Sequence, residues 1–389
     1  MRLRIATFNV ENLAARQSFG PKLRPDTEPA LSLFDVQEPR TRETVQRSIA
    51  VALEDDKREL SALAIAETRA DLLVLQEVDN LGVLQPFFAN YVHRLSDLRY
   101  GHFRLIDGND KRGIDVAFAA RADLFDNKRQ VRAVSHQAKT FGELGVFSEA
   151  VAASGIAADG RVFGRDCLEV TLDLGTAELV LFICHFKAIA DREDGRGLTR
   201  PLRDAEALAV KRIVLDRFGE RWREANWIVA GDLNDFVERI GPEGEAVRAN
   251  PGCLDPLLDD FAVNPVADLP PHERWTFYYR EPAEGERPIE EQHTQLDYLL
   301  LSPALAAANP HPRIEILRRG LPYRVPLDPR HPDRSIAYLA TRGDRYPRVG
   351  WDRPKASDHC PLVMEIDVPE RDSGGASGDE TVEAPARHG

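Results

Sequence analysis

Short apolar runs, bounded by polar residues and turn formers, recur along the whole chain. They fall at Arg4–Val10, Asp71–Gln76, Val116–Ala120, Cys167–Leu172, Leu179–His185, Trp227–Ala230, Leu296–Leu301 and Leu362–Ile366. Several are close to continuous, as in "DLLVLQ", "LVLFICH" and "LDYLLLS". Short runs with no polar face predict strands covered on both sides. Two longer stretches carry apolar residues at helical spacing. Val45, Ile49, Leu53, Leu60 and Leu63 predict a helix over Thr44–Ala70; Ala205, Leu208, Ile213 and Leu215 predict another over Leu202–Phe218. Together these elements predict a sandwich of two sheets with helices packed outside.

Between the elements lie stretches with other character. Gln17–Glu43 is rich in proline and charge, and Pro310–Pro354 is thick with arginine and proline; both read as long irregular insertions. The closing segment, "ERDSGGASGDETVEAPARHG", reads as a disordered tail over 369–389. No internal repeat is visible. With 389 residues, 43% of them hydrophobic, the chain can bury a large core.

Charge narrows the function. A formal net charge of −13 excludes a general nucleic-acid coat, which needs a cationic surface. It does not exclude an enzyme acting on phosphate esters through bound cations. The cysteines Cys167, Cys184, Cys253 and Cys360 are far apart and form no CxxC, which argues against a zinc knuckle and for a reducing compartment. Cys184, inside an apolar run, reads as a buried thiol. "MRLRIATFNV" has no apolar core of a signal peptide and reads as a first strand. No apolar run approaches the roughly 20 residues that span a bilayer. The expectation is a cytoplasmic protein without a transmembrane segment, and no protein partner is evident.

The chemistry sits at the strand ends. Asn9 closes the first strand, with Glu11 and Asn12 behind it; Glu77, His185, Asp232 and Asn234 close others; Asp297 opens one; "ASDHCP" leads Asp358 and His359 into the last. Residues two apart on an extended segment face the same way, so Asp232 and Asn234 address one place. Each residue alone has an ordinary structural reading: a turn asparagine, a solvated glutamate, a satisfied core histidine. So many polar endings at successive strands make that reading costly, and an adjacent Asp358–His359 pair suits a general base beside a metal-binding or orienting carboxylate.

The motifs "TFNVENL", "LQEV", "RGIDVAFAAR", "CHFKA", "GDLND", "QLDYLLLS" and "SDHCPL" run in this order from Ile5 to Ile366. In that order they resemble the endonuclease/exonuclease/phosphatase superfamily, the metal-dependent fold of pancreatic deoxyribonuclease, abasic-site endonucleases, sphingomyelinases and inositol phosphatases. The resemblance implies a single domain over 1–368, with insertions near 17–43 and 310–354. Its fold would be a four-layer α/β sandwich: two packed, mainly antiparallel β-sheets flanked by helices. It implies Mg²⁺ or Mn²⁺ on Glu77 and Asn9, with Asp297 or Asp358 completing a position. His359 becomes the general base, oriented by Asp297 or Asp358; Asp232 aligns the water, Asn234 holds a phosphate oxygen, and His185 stabilises the phosphoryl group. Where the family often has Tyr or Glu around "RGID", this chain offers Arg112 and Asp115.

Lys187, two residues past His185, and Arg112 are expected to contact substrate phosphate, whereas Arg203 reads as a solvated surface charge. "WTFYYR" offers aromatic faces for stacking on a base, although core or edge packing is the commoner use of such a strand. The implied reaction is hydrolysis of phosphodiester bonds in nucleic acid. The alternatives are hydrolysis of small or lipid-derived phosphate esters, and an inactive binding protein; the intact set of polar endings speaks against the last.

Overall fold

The computed structural model describes residues 1–14, 31–127, 130–189, 199–240, 245–249, 252–281, 290–323, 344–350 and 354–370. Fifteen strands are formed among them: β1 (Arg2–Leu13), β2 (Leu72–Val78), β3 (Tyr100–Leu105), β4 (Asp115–Arg121), β5 (Val131–Ser135), β6 (Cys167–Asp173), β7 (Glu178–His185), β8 (Trp227–Asp232), β9 (Glu238–Ile240), β10 (Ala246–Arg248), β11 (Phe277–Glu281), β12 (Glu290–Thr294), β13 (Asp297–Leu301), β14 (Arg313–Ile316) and β15 (Leu362–Asp367). The two long helices are α1 (Pro39–Thr68) and α2 (Arg200–Phe218). A six-stranded sheet runs β14-β15-β1-β2-β4-β3, and a five-stranded sheet runs β13-β8-β7-β6-β5. In each, one central pair is parallel (β1 with β2, β7 with β8) and the other pairs are antiparallel. A smaller sheet, β10-β9-β12-β11, stands beside them.

Period-two alternation sorts the strand residues into layers. Ile5, Val74, Leu181, Ile183, Ile228, Ala230 and Leu299 meet in one buried cluster between the two large sheets. Their sequence neighbours turn the other way. Phe8, Leu73 and Leu75 pack with Leu60 and Ile65 of α1; Phe182, Trp227 and Val229 pack with Val210 and Ile213 of α2. The order is therefore helix, sheet, sheet, helix, the expected sandwich.

The helices depart from the expected stripes. The first starts earlier, at Pro39, because Glu38 caps it by accepting the Arg40 and Thr41 N–H groups. Its buried face begins only at Glu54 and includes Lys57 and Ser61. On α2, Leu208 is 43% exposed, and the buried face is built from Ala205, Ala207, Ala209, Val210 and Val214 together with Arg203 and Glu206. The two buried polar residues make this face look less apolar than it is. β14 also corrects the expected irregular stretch from Pro310, adding an edge strand against β15. Residues 17–30, 324–343 and 351–353 of the two insertions, and residues 371–389 of the tail, lie outside the described residues. Among the described residues no helix is long and apolar enough to cross a membrane.

One close approach constrains the five-stranded sheet. Gly231 pairs with Cys184, has φ +132°, and an added Cβ would lie 2.0 Å from the Cys184 carbonyl oxygen. Only glycine fits without moving a strand that carries His185 or Asp232. Gly231→Ala is expected to cost about 3 kcal/mol from backbone strain alone. A urea titration followed by circular dichroism measures it, and an unchanged midpoint would contradict the constraint.

Candidate active site

The same alternation that builds the core delivers the polar residues. Asn9 continues the inward series of Ile5 on β1, His185 that of Leu181 and Ile183, Asp232 that of Ile228 and Ala230, and Asp297 that of Leu301 and Leu299. The register places His185 beside Asp232, and Asp232 beside Asp297. Glu77 breaks the series. Its parity points it outward, but the pairing of β2 with β4 shifts between Gln76 and Val78, and Glu77 sits at φ +65°. That bulge re-aims the carboxylate. Asn234 is also left-handed, at φ +48°.

Asp232 lies at the centre. Its carboxylate accepts from Asn9 Nδ2 at 3.0 Å, from the Asn234 backbone N–H at 2.9 Å and from Asn234 Nδ2 at 3.3 Å. Asp232 Oδ2 also faces His185 Nε2 at 3.5 Å and His359 Nε2 at 3.7 Å. Burial, reinforced by Asp297, pushes the Asp232 carboxyl up to about 7 against the pull of His359 and its hydrogen bonds. His359 Nδ1 lies 2.8 Å from Asp297 Oδ2, so Nδ1–H donates there and Nε2 points at Asp232. Burial disfavours the imidazolium of His359, but Asp297 and Asp232 outweigh it and hold the ring well above its ordinary value. His185, whose Nε2 is also 4.0 Å from Glu77 Oε1, is driven well below its ordinary value by burial and by Arg165. Two histidines around one carboxylate are thereby pushed apart in proton affinity.

The Asp358–His359 pair is locked to the first strand. Ser357 Oγ donates to the Asn9 carbonyl at 2.7 Å and accepts the His359 N–H at 3.0 Å. Asp297, not Asp358, contacts the ring. The charge of Asp358 acts on Glu77 instead. Burial first, and the Asp358 charge second, push the Glu77 carboxyl up. Burial opposes ionisation of Asp358 too, yet Lys355 and His359 hold it below its ordinary range.

The endonuclease/exonuclease/phosphatase family profile matches residues 4–241, well over half of the chain. The chain belongs to that family. Membership supports a hydrolase acting on phosphoester bonds. A family protein from Leptotrichia buccalis is 12% identical over 94% of this chain and 99% of its own, with TM-score 0.48. One from Bacteroides thetaiotaomicron is 15% identical over 94% and 97%, with TM-score 0.47. TDP2 of D. rerio, complexed with single strand DNA product, is 14% identical over 94% and 99%, with TM-score 0.44. No curated protein sequence matches the chain.

Of the residues expected at this family site, Asn9, Glu77, His185, Asp232, Asn234, Asp297, Asp358 and His359 gather at one end of the two sheets. Arg112 sits at the rim. Its guanidinium is paired with Asp110 and acts on both Glu77 and His185, while its side chain stays 60% exposed. Lys187 is exposed; what is fixed is its backbone N–H, which donates to Glu206 at 2.7 Å. Asp115, the other "RGID" candidate, is buried and accepts the Gly108 N–H at 2.9 Å. Arg203 corrects the surface reading: it is fully buried, 3.7 Å from Asp235.

The donors suit a hard divalent cation. Mg²⁺ needs only one or two carboxylates with water, and a cation would relieve the Glu77 carboxylate, whose ionisation burial and the Asp358 charge oppose. Among the described residues no three of His, Cys, Asp and Glu form a group that could hold an ion. The set is thus unlike a closed zinc site.

Thr276, inside "WTFYYR", escaped the sequence reading. Its hydroxyl donates to Asp297 Oδ2 at 2.7 Å and accepts the Leu296 and Asp297 N–H groups at 3.1 and 3.0 Å. A threonine in an aromatic run carries no visible polar pattern. Phe277 next to it lies against the His359 ring, centroids 5.0 Å apart. Thr276→Val leaves the two N–H groups buried without a partner and is expected to cost about 2–4 kcal/mol. Chemical denaturation checks this, and a loss within 0.5 kcal/mol or so would contradict it.

Proposed function

We propose that this protein is a divalent-metal-dependent phosphodiesterase that hydrolyses nucleic acid by attack of an activated water. The observation that carries the reading is the continuous path Asp297–His359–Asp232, with Asp297 Oδ2 2.8 Å from one ring nitrogen and Asp232 Oδ2 3.7 Å from the other. Enzymes of the family are generally divalent-metal dependent. A bound cation, held by Glu77 and Asp358 with Asn9 in support, supplies charge neutralisation of the phosphate.

The chain's own residues do the rest. Asp297 fixes the His359 ring so that Nε2 faces the space beside Asp232. A water held by Asp232 Oδ2, 3.7 Å from Nε2, would be within reach of that nitrogen, which takes its proton. Three carboxylates raise the affinity of His359 for that proton, a pull that a cation held by Glu77 and Asp358 would partly offset. Asn234 spends its side-chain N–H groups on the Phe186 carbonyl at 3.0 Å and on Asp232 Oδ2 at 3.3 Å, so its amide holds Asp232 in place, and contact with a phosphate oxygen requires release of one of these bonds. His185 stabilises charge as it develops on the phosphoryl group. Arg112 meets a neighbouring phosphate from the rim. The partly exposed Phe277 ring beside His359 favours a nucleotide over a bare phosphate ester, because a base can stack there.

The test is hydrolysis of single- and double-stranded DNA, RNA, an aryl phosphodiester and inositol phosphates, with and without Mg²⁺ or Mn²⁺. Metal-dependent cleavage of nucleic acid is expected, with kcat reduced about 10²–10⁴-fold by His359→Ala. Cleavage of small phosphates alone would replace nucleic acid as the substrate. Full activity in His359→Ala would sink the assignment of the base.

A further inference from the structure

Two lysines converge on Glu11, two residues past Asn9, and one of them, Lys355, stands three residues before Asp358. Lys57, on the buried face of α1, places Nζ 3.8 Å from Glu11 Oε2 and donates to the Glu11 carbonyl oxygen. Lys355 places Nζ 3.6 Å from the same Oε2. Their side chains are only 11% and 18% exposed, and that of Glu11 14%. They are not rim lysines free to swing. Ser61 Oγ of α1 donates to the Ala356 carbonyl at 2.7 Å, fastening the segment that carries Lys355 to the helix that carries Lys57. Glu11 is held in turn, its N–H donating to Asn9 Oδ1 at 3.0 Å and its backbone at φ +50°.

Two ammoniums share one glutamate here, and Asp358 is the next carboxylate on which both act. With Glu11, Asp358 and Glu77 ionised, this side of the site carries one net negative charge. One divalent ion turns that balance modestly positive; a second would leave a large uncompensated charge in a half-buried space.

We propose that Lys57 and Lys355 act as fixed cations beside the Glu77–Asp358 carboxylates, so that the site takes a single divalent ion and rejects a second. Their charge does for the acids what a second ion would otherwise do, and it stays attached through turnover. The inference rests on the metal-dependent reading above but concerns how many ions bind.

Mn²⁺ binding to the full chain, followed by calorimetry and by the electron paramagnetic resonance signal of free Mn²⁺, tests it without any turnover. The wild type is expected to bind one ion. Lys57→Met and Lys355→Met keep the aliphatic stems and are each expected to tighten Mn²⁺ binding about tenfold, the scale of one nearby unit charge at intermediate dielectric constant. The double variant is expected to take up a second ion. Lys355→Arg keeps the charge and should behave as wild type. If Lys57→Met fails to fold, the less buried Lys355→Met carries the test. Two ions in the wild type, or Lys355→Met with unchanged or weaker binding, overturns the proposal. A wild type that binds no Mn²⁺ overturns the metal-dependent reading itself, which is a different result. A raised KM for phosphodiester with Mn²⁺ binding unchanged also overturns the proposal and makes the lysines contacts to substrate.

Discussion

The buried carboxylate of Asp232 is the constraint around which this end of the molecule is arranged. A carboxylate with 1% exposure is stable as an anion only if its oxygens are met by donors or positive charge. Here Asn9, the Asn234 backbone and the Asn234 amide supply the donors, and two imidazoles supply the polar surround. Asn9, His185 and His359 come from distant parts of the chain, and Asn234 from the turn directly after Asp232. The parallel pairing of β7 with β8 sets His185 beside Asp232, and the antiparallel return of β13 sets Asp297 there. The carboxylate therefore favours one register of the sheet over its slipped alternatives, because a slip of one residue would strand it among apolar neighbours.

Strain gathers at the same place. Glu11, Asn12, Glu77 and Asn234 all have positive φ, and the Gly231 backbone touches its neighbouring strand closely. Such conformations cost about 1–3 kcal/mol each and persist where surrounding structure over-determines them. The surrounding structure here is the sandwich core, whose Val, Ile and Leu layers are fully buried on both faces of each large sheet. The core holds the strand ends rigidly, and the ends use that rigidity to keep carboxylates and imidazoles within a few ångströms of one another.

That division explains what the sequence disclosed. The apolar runs predicted eight strands of the two large sheets, because strands buried on both faces read as unbroken hydrophobic stretches, and missed the edge strands β3, β5 and β14, which are partly exposed. Asn9, His185, Asp232 and Asp297 were legible as polar residues at the ends of apolar strands, and their place in the inward alternation emerged from the packing of the two sheets. Glu77 was legible only as a polar ending; the bulge that aims it appears in no local pattern, since it depends on pairing with β4. Thr276 was not legible, because its role is a hydroxyl shared among three groups brought together by tertiary pairing. Arg203, Glu206 and Lys57 were misread or passed over for one shared reason. Each is a charged residue on the buried face of a helix, where periodicity counts it as solvent-facing.

The acidic balance of the chain looks opposed to an anionic substrate, and the site shows why it need not be. Screening confines charge effects to about 8–10 Å at physiological salt, so distant surface acids contribute little. At the site the carboxylates of Glu77, Asp232, Asp297, Asp358, Glu11 and Asp110 stand against positive charge on His359, Arg112, Lys57 and Lys355. Acids placed to hold a cation reverse their effect on a phosphate once the cation is there. The buried Arg165, 2.9 Å from Asp110 Oδ2 and donating to the Phe186 carbonyl at 2.9 Å, ties the rim guanidinium of Arg112 to the strand of His185. A net charge summed over the chain averages away this local arrangement, which is the part that an approaching phosphate would meet.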